Sequence, residues 1–398
     1  MNRSVALPLL LLLAFALPAP AAAQEQKAEP PQNYDELARR LITTSVNIKP
    51  GDVVVVVGGR HNIPLMEAIS IEAQKAGGMV TMFLSTDRVT RSFNVDVPEK
   101  YLEQEPRFLA EWIKHIDVWI ALPEIEDQQA VNAGVPEARF AKLAKASQFF
   151  AGVLNEAKIR GVSIGYPTTQ QAARNNVDFS TLERMHWAAV NADYQSISGK
   201  GDALKRLLQG AKSVRITTPA GTDFTFSTGG RPVFANDGVV TPEDAQSKQF
   251  VNRWATLPGG RVTIAPIETS ASGKVVVPRT QCRFAPLTGV SFEFRGGKME
   301  GFKADKGGEC FQETMAPYSG SKDVLGTVLI GLNPALKVID QGGDYRPSSA
   351  AGMVWIYTGD NELQGGNNKA PGGFGFPLTN ATVTVDGKVV VKDGQLVL

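Results

Sequence analysis

KPGDVVVVVGGRHNIPLMEAIS, running from Lys49 to Ser70, is the stretch from which the fold can be read. Pro50-Gly51-Asp52 supplies turn chemistry, an unbroken valine run follows from Val53 to Val57, and Gly58-Gly59 ends it. Pro64 then suits the first turn of a helix whose Leu65, Met66, Ile69 and Ala73 recur on one side. Valines without polar alternation must be buried on both faces, which is the condition of a strand inside a parallel sheet. Gly77-Gly78 stops the helix, and Met79 to Leu84 gives a second apolar strand. Strand, helix and strand in that order predict a βαβ unit.

Asn33 with Glu36 forms a helix-start signature, and Leu37 and Leu41 share the face of that helix. Val118 to Leu122 and Val162 to Tyr166 extend the same parallel sheet, the former after a helical stretch carrying Phe108, Leu109, Trp112, Ile113 and Ile116. From about Ser213 the helical period fades. Short strands take over at Val214 to Ile216, Phe224 to Phe226, Arg261 to Ile264, Lys274 to Val277 and Val290 to Phe294. Gly296-Gly297 and Asp386-Gly387 are hairpin signals, the latter between Val383 to Val385 and Val389 to Val391. The expected organisation is an α/β domain with a mainly parallel sheet over residues 33–212, followed by a β-rich α+β domain over 213–398.

The 398 residues carry 41 basic and 40 acidic side chains, with 43% hydrophobic residues, an ordinary globular balance with ample chain for a core. No basic cluster exists to bind nucleic acid. Asn2 and Arg3 precede an apolar run from Val5 to Leu17, and Ala21-Ala22-Ala23 precedes Gln24, so residues 1–23 read as a signal peptide cleaved near Ala23. The run is shorter than the roughly 20 residues a span needs, and no membrane span is expected. Residues 24–32, rich in Glu, Pro and Gln, read as a flexible leader, and the protein as secreted or periplasmic. In an oxidising compartment the two cysteines, Cys282 and Cys310, are expected to form a disulfide.

Familiar catalytic motifs are thin. Gly58-Gly59 follows a strand as a phosphate cradle would, but without G-x-G-x-x-G or G-K-[ST] it reads as a tight turn. Ser319-Gly320-Ser321-Lys322 fits S-x-x-K without the companion motifs, and reads as a surface loop. There are three histidines, His61, His115 and His186, all in the first half. His115 and His186, beside Trp112 and Trp187, read as packed or surface helical residues, whereas His61 follows a strand and is the candidate functional imidazole.

A longer pattern is more telling. Ala220-Gly221-Thr222-Asp223-Phe224-Thr225-Phe226, Gly230-Arg231-Pro232, and Leu257-Pro258-Gly259-Gly260-Arg261-Val262 running into Ala265-Pro266 come first. Leu325-Gly326, Ile330-Gly331-Leu332-Asn333, Gly352 to Trp355, Gly359-Asp360-Asn361, Gly365-Gly366-Asn367 and Thr382 to Gly387 follow. In order and spacing, and with Lys49-Pro50-Gly51 and Tyr166-Pro167-Thr168 in the first half, this resembles the aminopeptidase T family of leucyl-type thermophilic metallo-aminopeptidases. The resemblance covers the mature chain and implies an aminopeptidase T-like fold, a two-metal site in the C-terminal domain, and a homodimer.

The ligands that the resemblance implies are replaced. The two metal-binding glutamate positions are Arg261 and Thr327, the Gly-Thr-x-His histidine is Trp355, the following tyrosine is Glu362, and the final His-x-Asp pair is Phe376 and Leu378. Two divalent ions about 3.5–4 Å apart need carboxylates and imidazoles, so no metal cofactor, metal ligand or metallopeptidase residue is expected here. The cleft at Arg261, Thr327, Trp355, Glu362, Phe376 and Leu378 is then expected to be apolar and aromatic and to take a small molecule or peptide, with Arg261 meeting Glu362 or an anionic ligand. Two other readings stand beside this one: a hydrolase with a relocated site drawn from Glu268, Asp360, Glu362 and His61, and a purely structural protein whose cavity has filled.

Overall fold

The computed structural model describes residues 32–398, except Pro371 and several side chains of the helix Glu137–Glu156. The signal peptide and nearly all of the leader therefore lie outside the described residues. The first strand, β1 (Val53–Gly59), is followed by the helix Ile63–Lys75 and by β2 (Met79–Ser85), with β3 (Val118–Ala121) and β4 (Arg160–Ile164) further on. The chain then passes through β5 (Val214–Thr217), β6 (Asp223–Phe226) and β7 (Val233–Asn236) before β8 (Trp254–Leu257) returns to the first layer. The five-stranded sheet so formed has the order β2-β1-β3-β4-β8, with every pair parallel. Val54, Val55 and Val56 are fully buried, as the unbroken valine run requires.

The boundary expected near residue 213 is not a clean cut, because β8 lies beyond it and pairs with β4. Arg253 explains the docking: buried, it donates to the carbonyls of Ser247 (2.6 Å), Ala157 (2.7 Å) and Ile159 (3.2 Å), which ties the start of β8 to the approach of β4.

The remaining strands are β9 (Arg261–Ile264), β10 (Ser272–Cys282), β11 (Ala285–Arg295), β12 (Lys298–Lys303), β13 (Leu325–Gly331), β14 (Val354–Thr358), β15 (Gly375–Leu378), β16 (Thr382–Val385), β17 (Lys388–Lys392) and β18 (Gln395–Leu396). They complete two antiparallel sheets. One has eight strands in the order β12-β11-β10-β6-β5-β16-β17-β18, and the other has five, β15-β14-β13-β9-β7. Both hairpin signals are realised, at Gly296-Gly297 between β11 and β12 and at Asp386-Gly387 between β16 and β17, with positive φ at all four turn residues.

Phe224, Phe226, Phe292 and Phe294 of the larger sheet meet Val262, Ile264, Val328, Ile330, Ile356 and Phe376 of the smaller one in a single buried core. Cys282 at the end of β10 is bonded to Cys310 in the helix Gly308–Met315, and no free cysteine remains. Among the described residues no helix is long and apolar enough to cross a membrane.

Asn333, fully buried after β13, joins the layers. Its amide nitrogen donates to the carbonyls of Ala189 (3.1 Å) and Gly259 (2.9 Å), and its oxygen accepts from the Ala335 amide (3.0 Å).

Candidate functional site

Side chains alternate across a strand, so one face of the β7, β9, β13, β14, β15 sheet is committed to the core and the other is free to build a site. Register defines that second face. Arg261 lies opposite Asn236 and Gly331, Thr263 opposite Phe234 and Leu329, Leu329 opposite Trp355, Trp355 opposite Pro377, and Thr327 opposite Tyr357. Arg261, Thr327 and Trp355, the first three positions singled out from the sequence, are thus brought onto one face.

Phe376 and Leu378 are not. They pair with Ile356 and Val354 and are buried in the core, so they do not line the cleft expected of them. Strand alternation assigns the outward positions of β15 to Gly375 and Pro377 instead. Glu362 lies beyond β14 in a short helical turn, where its carboxylate faces Lys369 at 3.4 Å, so the Arg261–Glu362 pairing is not formed.

Over this face lies a cavity of about 580 Å³. Its floor is the Trp355 and Tyr357 rings, nearly parallel at 19° and 5.7 Å between centroids. Gly375 on the next strand makes the arrangement possible, because a Cβ there would stand 2.5 Å from the Tyr357 ring. The Trp355 indole donates to the Arg346 carbonyl at 3.2 Å. Arg346 in turn pairs with Asp340 (2.7 Å) and with buried Asp344, whose other oxygen accepts from Gln281 (2.8 Å). The charges at this wall are therefore spent on one another.

His186 also lines this cavity and leaves no signal as a site residue in the sequence, since a helical histidine beside a tryptophan reads as packing. It is buried edge-on against Trp187, and burial pushes its pKa down to about 4 against the pull of the Gly165 carbonyl 2.9 Å from Nε2. The imidazole is accordingly neutral at pH 7.

Beside this cavity, on the same sheet face, a smaller one of about 170 Å³ contains Arg261 and Thr263. Burial lowers the Arg261 pKa, opposed by the Tyr357 phenol, and burial raises the Tyr357 pKa, opposed by Arg261.

The relocated hydrolase constellation is not assembled. Glu268 is held bidentately by Arg231 and also accepts from the Asn367 amide (2.7 Å) and the Asn361 side chain (3.1 Å). Asp360 accepts from the Glu362 amide at 3.2 Å. His61 belongs to the parallel layer, edge-on to Tyr166 with centroids 5.7 Å apart, and burial lowers its pKa against Glu126 and Asp87.

Other motifs resolve as structure. The Gly59 N–H is taken by Asn62 and Pro123, both at 3.1 Å, so it is not free to cradle a phosphate. Lys322 of the S-x-x-K sequence donates to the carbonyls of Met315 (2.6 Å) and Tyr318 (2.7 Å). His115 is exposed, 3.9 Å from Glu111. Among the described residues no three His, Cys, Asp or Glu side chains gather as a metal site would need.

The profile of the family described as thermophilic metalloprotease (M29) matches residues 31–334. Among characterised proteins, the 2,5-dihydroxypyridine 5,6-dioxygenase of Pseudomonas putida KT2440 is 26% identical over 212 residues, 49% of this chain and 57% of that protein. The chain thus spans little more than half the length of that relative. Among solved structures, AmpT from Thermus thermophilus matches with a TM-score of 0.70 at 16% identity, over 92% of this chain and 99% of that one. The 2,5-dihydroxypyridine dioxygenase structure from Pseudomonas putida KT2440 matches at 0.58 and 17%, over 92% and 96%. At these identities the structural likeness speaks for the fold alone.

Proposed function

The chain belongs to the thermophilic metalloprotease (M29) family, and from that premise we propose that it is a secreted member without the dinuclear metal site, which holds a small molecule or peptide in the cleft on the outer face of the β7, β9, β13, β14, β15 sheet. One observation carries this reading: the positions that the family resemblance assigns to metal ligands bring Arg261, Thr327 and Trp355 onto that one face.

These residues do not fit two divalent cations. A guanidinium about 4 Å from one such ion opposes it by about 8 kcal/mol at an effective dielectric constant of 20, a hydroxyl supplies no charge, and an indole has no lone pair to give. They do fit an organic ligand. The Trp355 and Tyr357 rings offer a flat apolar floor for stacking, and polar side chains on the walls fix orientation. His186, neutral and wedged against Trp187, adds a wall that carries no charge at pH 7.

The dioxygenase relative supports the idea that this architecture serves chemistry other than peptide hydrolysis. The N-terminal segment supports export, and the family resemblance supports a homodimer.

The reading is tested by assaying hydrolysis of leucyl and other aminoacyl amides in the presence of zinc, cobalt or manganese, with and without chelator. No chelator-sensitive release of amino acid is expected. Release abolished by chelator would contradict the proposal.

A further inference from the structure

Arg261 differs from three arginines of the same region. Arg231, Arg253 and Arg346, the other arginines of this region, are each fixed by carboxylates or carbonyls. The Arg261 side chain, half-buried in its cavity, has no hydrogen bond or ion pair among the described residues. A half-buried guanidinium without a protein partner keeps its donors open to an anion, and no Asp or Glu lines its cavity.

The cavity has polar groups to spare. Thr263 and Gln364, which line it beside Arg261, have no side-chain partner among the described residues either. Asn236, by contrast, is consumed: its amide bridges the Trp254 carbonyl (3.3 Å) and Thr256 (3.4 Å and, through its oxygen, 3.1 Å). What remains open is one fixed positive charge, a hydroxyl and an amide, a set that matches a planar monoanion better than a dianion.

The rest of the lining is apolar. Phe234, Leu363, Phe250 and Trp254 enclose the space, the last two with ring centroids 5.0 Å apart. At about 170 Å³ the cavity matches the size of engineered apolar cavities of about 150 Å³ that accept a benzene ring. We propose that this cavity binds a small organic monocarboxylate with a ring-sized apolar body, its carboxylate paired with Arg261 and its body packed against Phe250 and Trp254. The proposal deepens the preceding reading and rests on it, since Arg261 is available to an anion only where no metal ion is held.

The test titrates purified protein with benzoate, benzamide and inorganic phosphate, following Trp fluorescence and calorimetry. Benzoate is expected to bind, with benzamide and phosphate each at least about tenfold weaker, and Arg261→Gln is expected to weaken benzoate by about tenfold or more. Because the guanidinium is unpaired, Arg261→Gln should melt no lower than the wild type, so loss of binding is not loss of fold.

Absence of benzoate binding, equal binding of benzamide, tighter binding of phosphate, or unchanged affinity in Arg261→Gln would each overturn the assignment. Metal content measured on the same samples separates the two claims. Metal-free protein that ignores benzoate sinks only the carboxylate site, whereas stoichiometric metal sinks the reading beneath it.

Discussion

Trp355 and Tyr357, two residues apart on one strand, hold their rings 5.7 Å apart and within 19° of parallel, and the glycine facing Tyr357 on the neighbouring strand leaves room for them to do so. Gly375→Ala places a Cβ where the Tyr357 ring lies and forces the ring to turn. Denaturant unfolding should record a loss of about 1–2 kcal/mol. Near-ultraviolet circular dichroism should change, because the aromatic pair is broken, while the far-ultraviolet spectrum should not.

The Arg231–Glu268 pair predicts a pH signature. Burial alone would raise the Glu268 pKa, but Arg231, the Asn367 amide and Asn361 override it and bring the carboxyl to about 2, below the ordinary 4.5. A pKa depressed in the folded state contributes stability that is complete above the ordinary value and is lost as pH falls toward the folded value. Glu268→Gln leaves half-buried Arg231 without its counter-charge and should cost about 2 kcal/mol at pH 7. The gap between wild type and variant should close between about pH 4.5 and about pH 2, read from urea midpoints at each pH.

The Cys282–Cys310 bond closes a loop with a sequence separation of 28 residues. In the chain-entropy view this contributes about 3 kcal/mol by restricting the unfolded chain. Reduction, or the double change Cys282→Ser with Cys310→Ser, should lower the urea midpoint accordingly.

The edge strand β2 exposes Met79, Met82, Phe83 and Leu84, and the next helix adds Val89 and Phe93. An apolar edge of this kind calls for cover, and the homodimer proposed from the family resemblance would supply it. Sedimentation velocity should find a dimer for the wild type and a monomer for Leu84→Lys with unchanged secondary structure. A dimer in both would place the interface elsewhere.

Much of this architecture was legible because local and global signals agree. The valine run of β1, the glycine turn after its helix and the hairpin at Asp386-Gly387 each admit one conformation, and each adopts it. β8 was not legible as a member of the parallel sheet, because Trp254–Leu257 alternates buried and half-buried side chains and owes its place to the distant carbonyls that Arg253 finds. Register puts Arg261, Thr327 and Trp355 on one face of the sheet, which their spacing along three separate strands does not reveal. Phe376 and Leu378 fall on the opposite one, since a shift of one residue along β15 exchanges core for cleft. His186 was passed over because its partner, the Gly165 carbonyl, lies 21 residues away in sequence and leaves no local trace.

The face carrying Arg261, Thr327 and Trp355 is proposed to hold no pair of metal ions. Elemental mass spectrometry after dialysis against zinc, cobalt and manganese, followed by removal of free ions, tests it most directly. Metal far below one equivalent per chain is expected for all three. Two equivalents retained per chain and lost to chelator would contradict it.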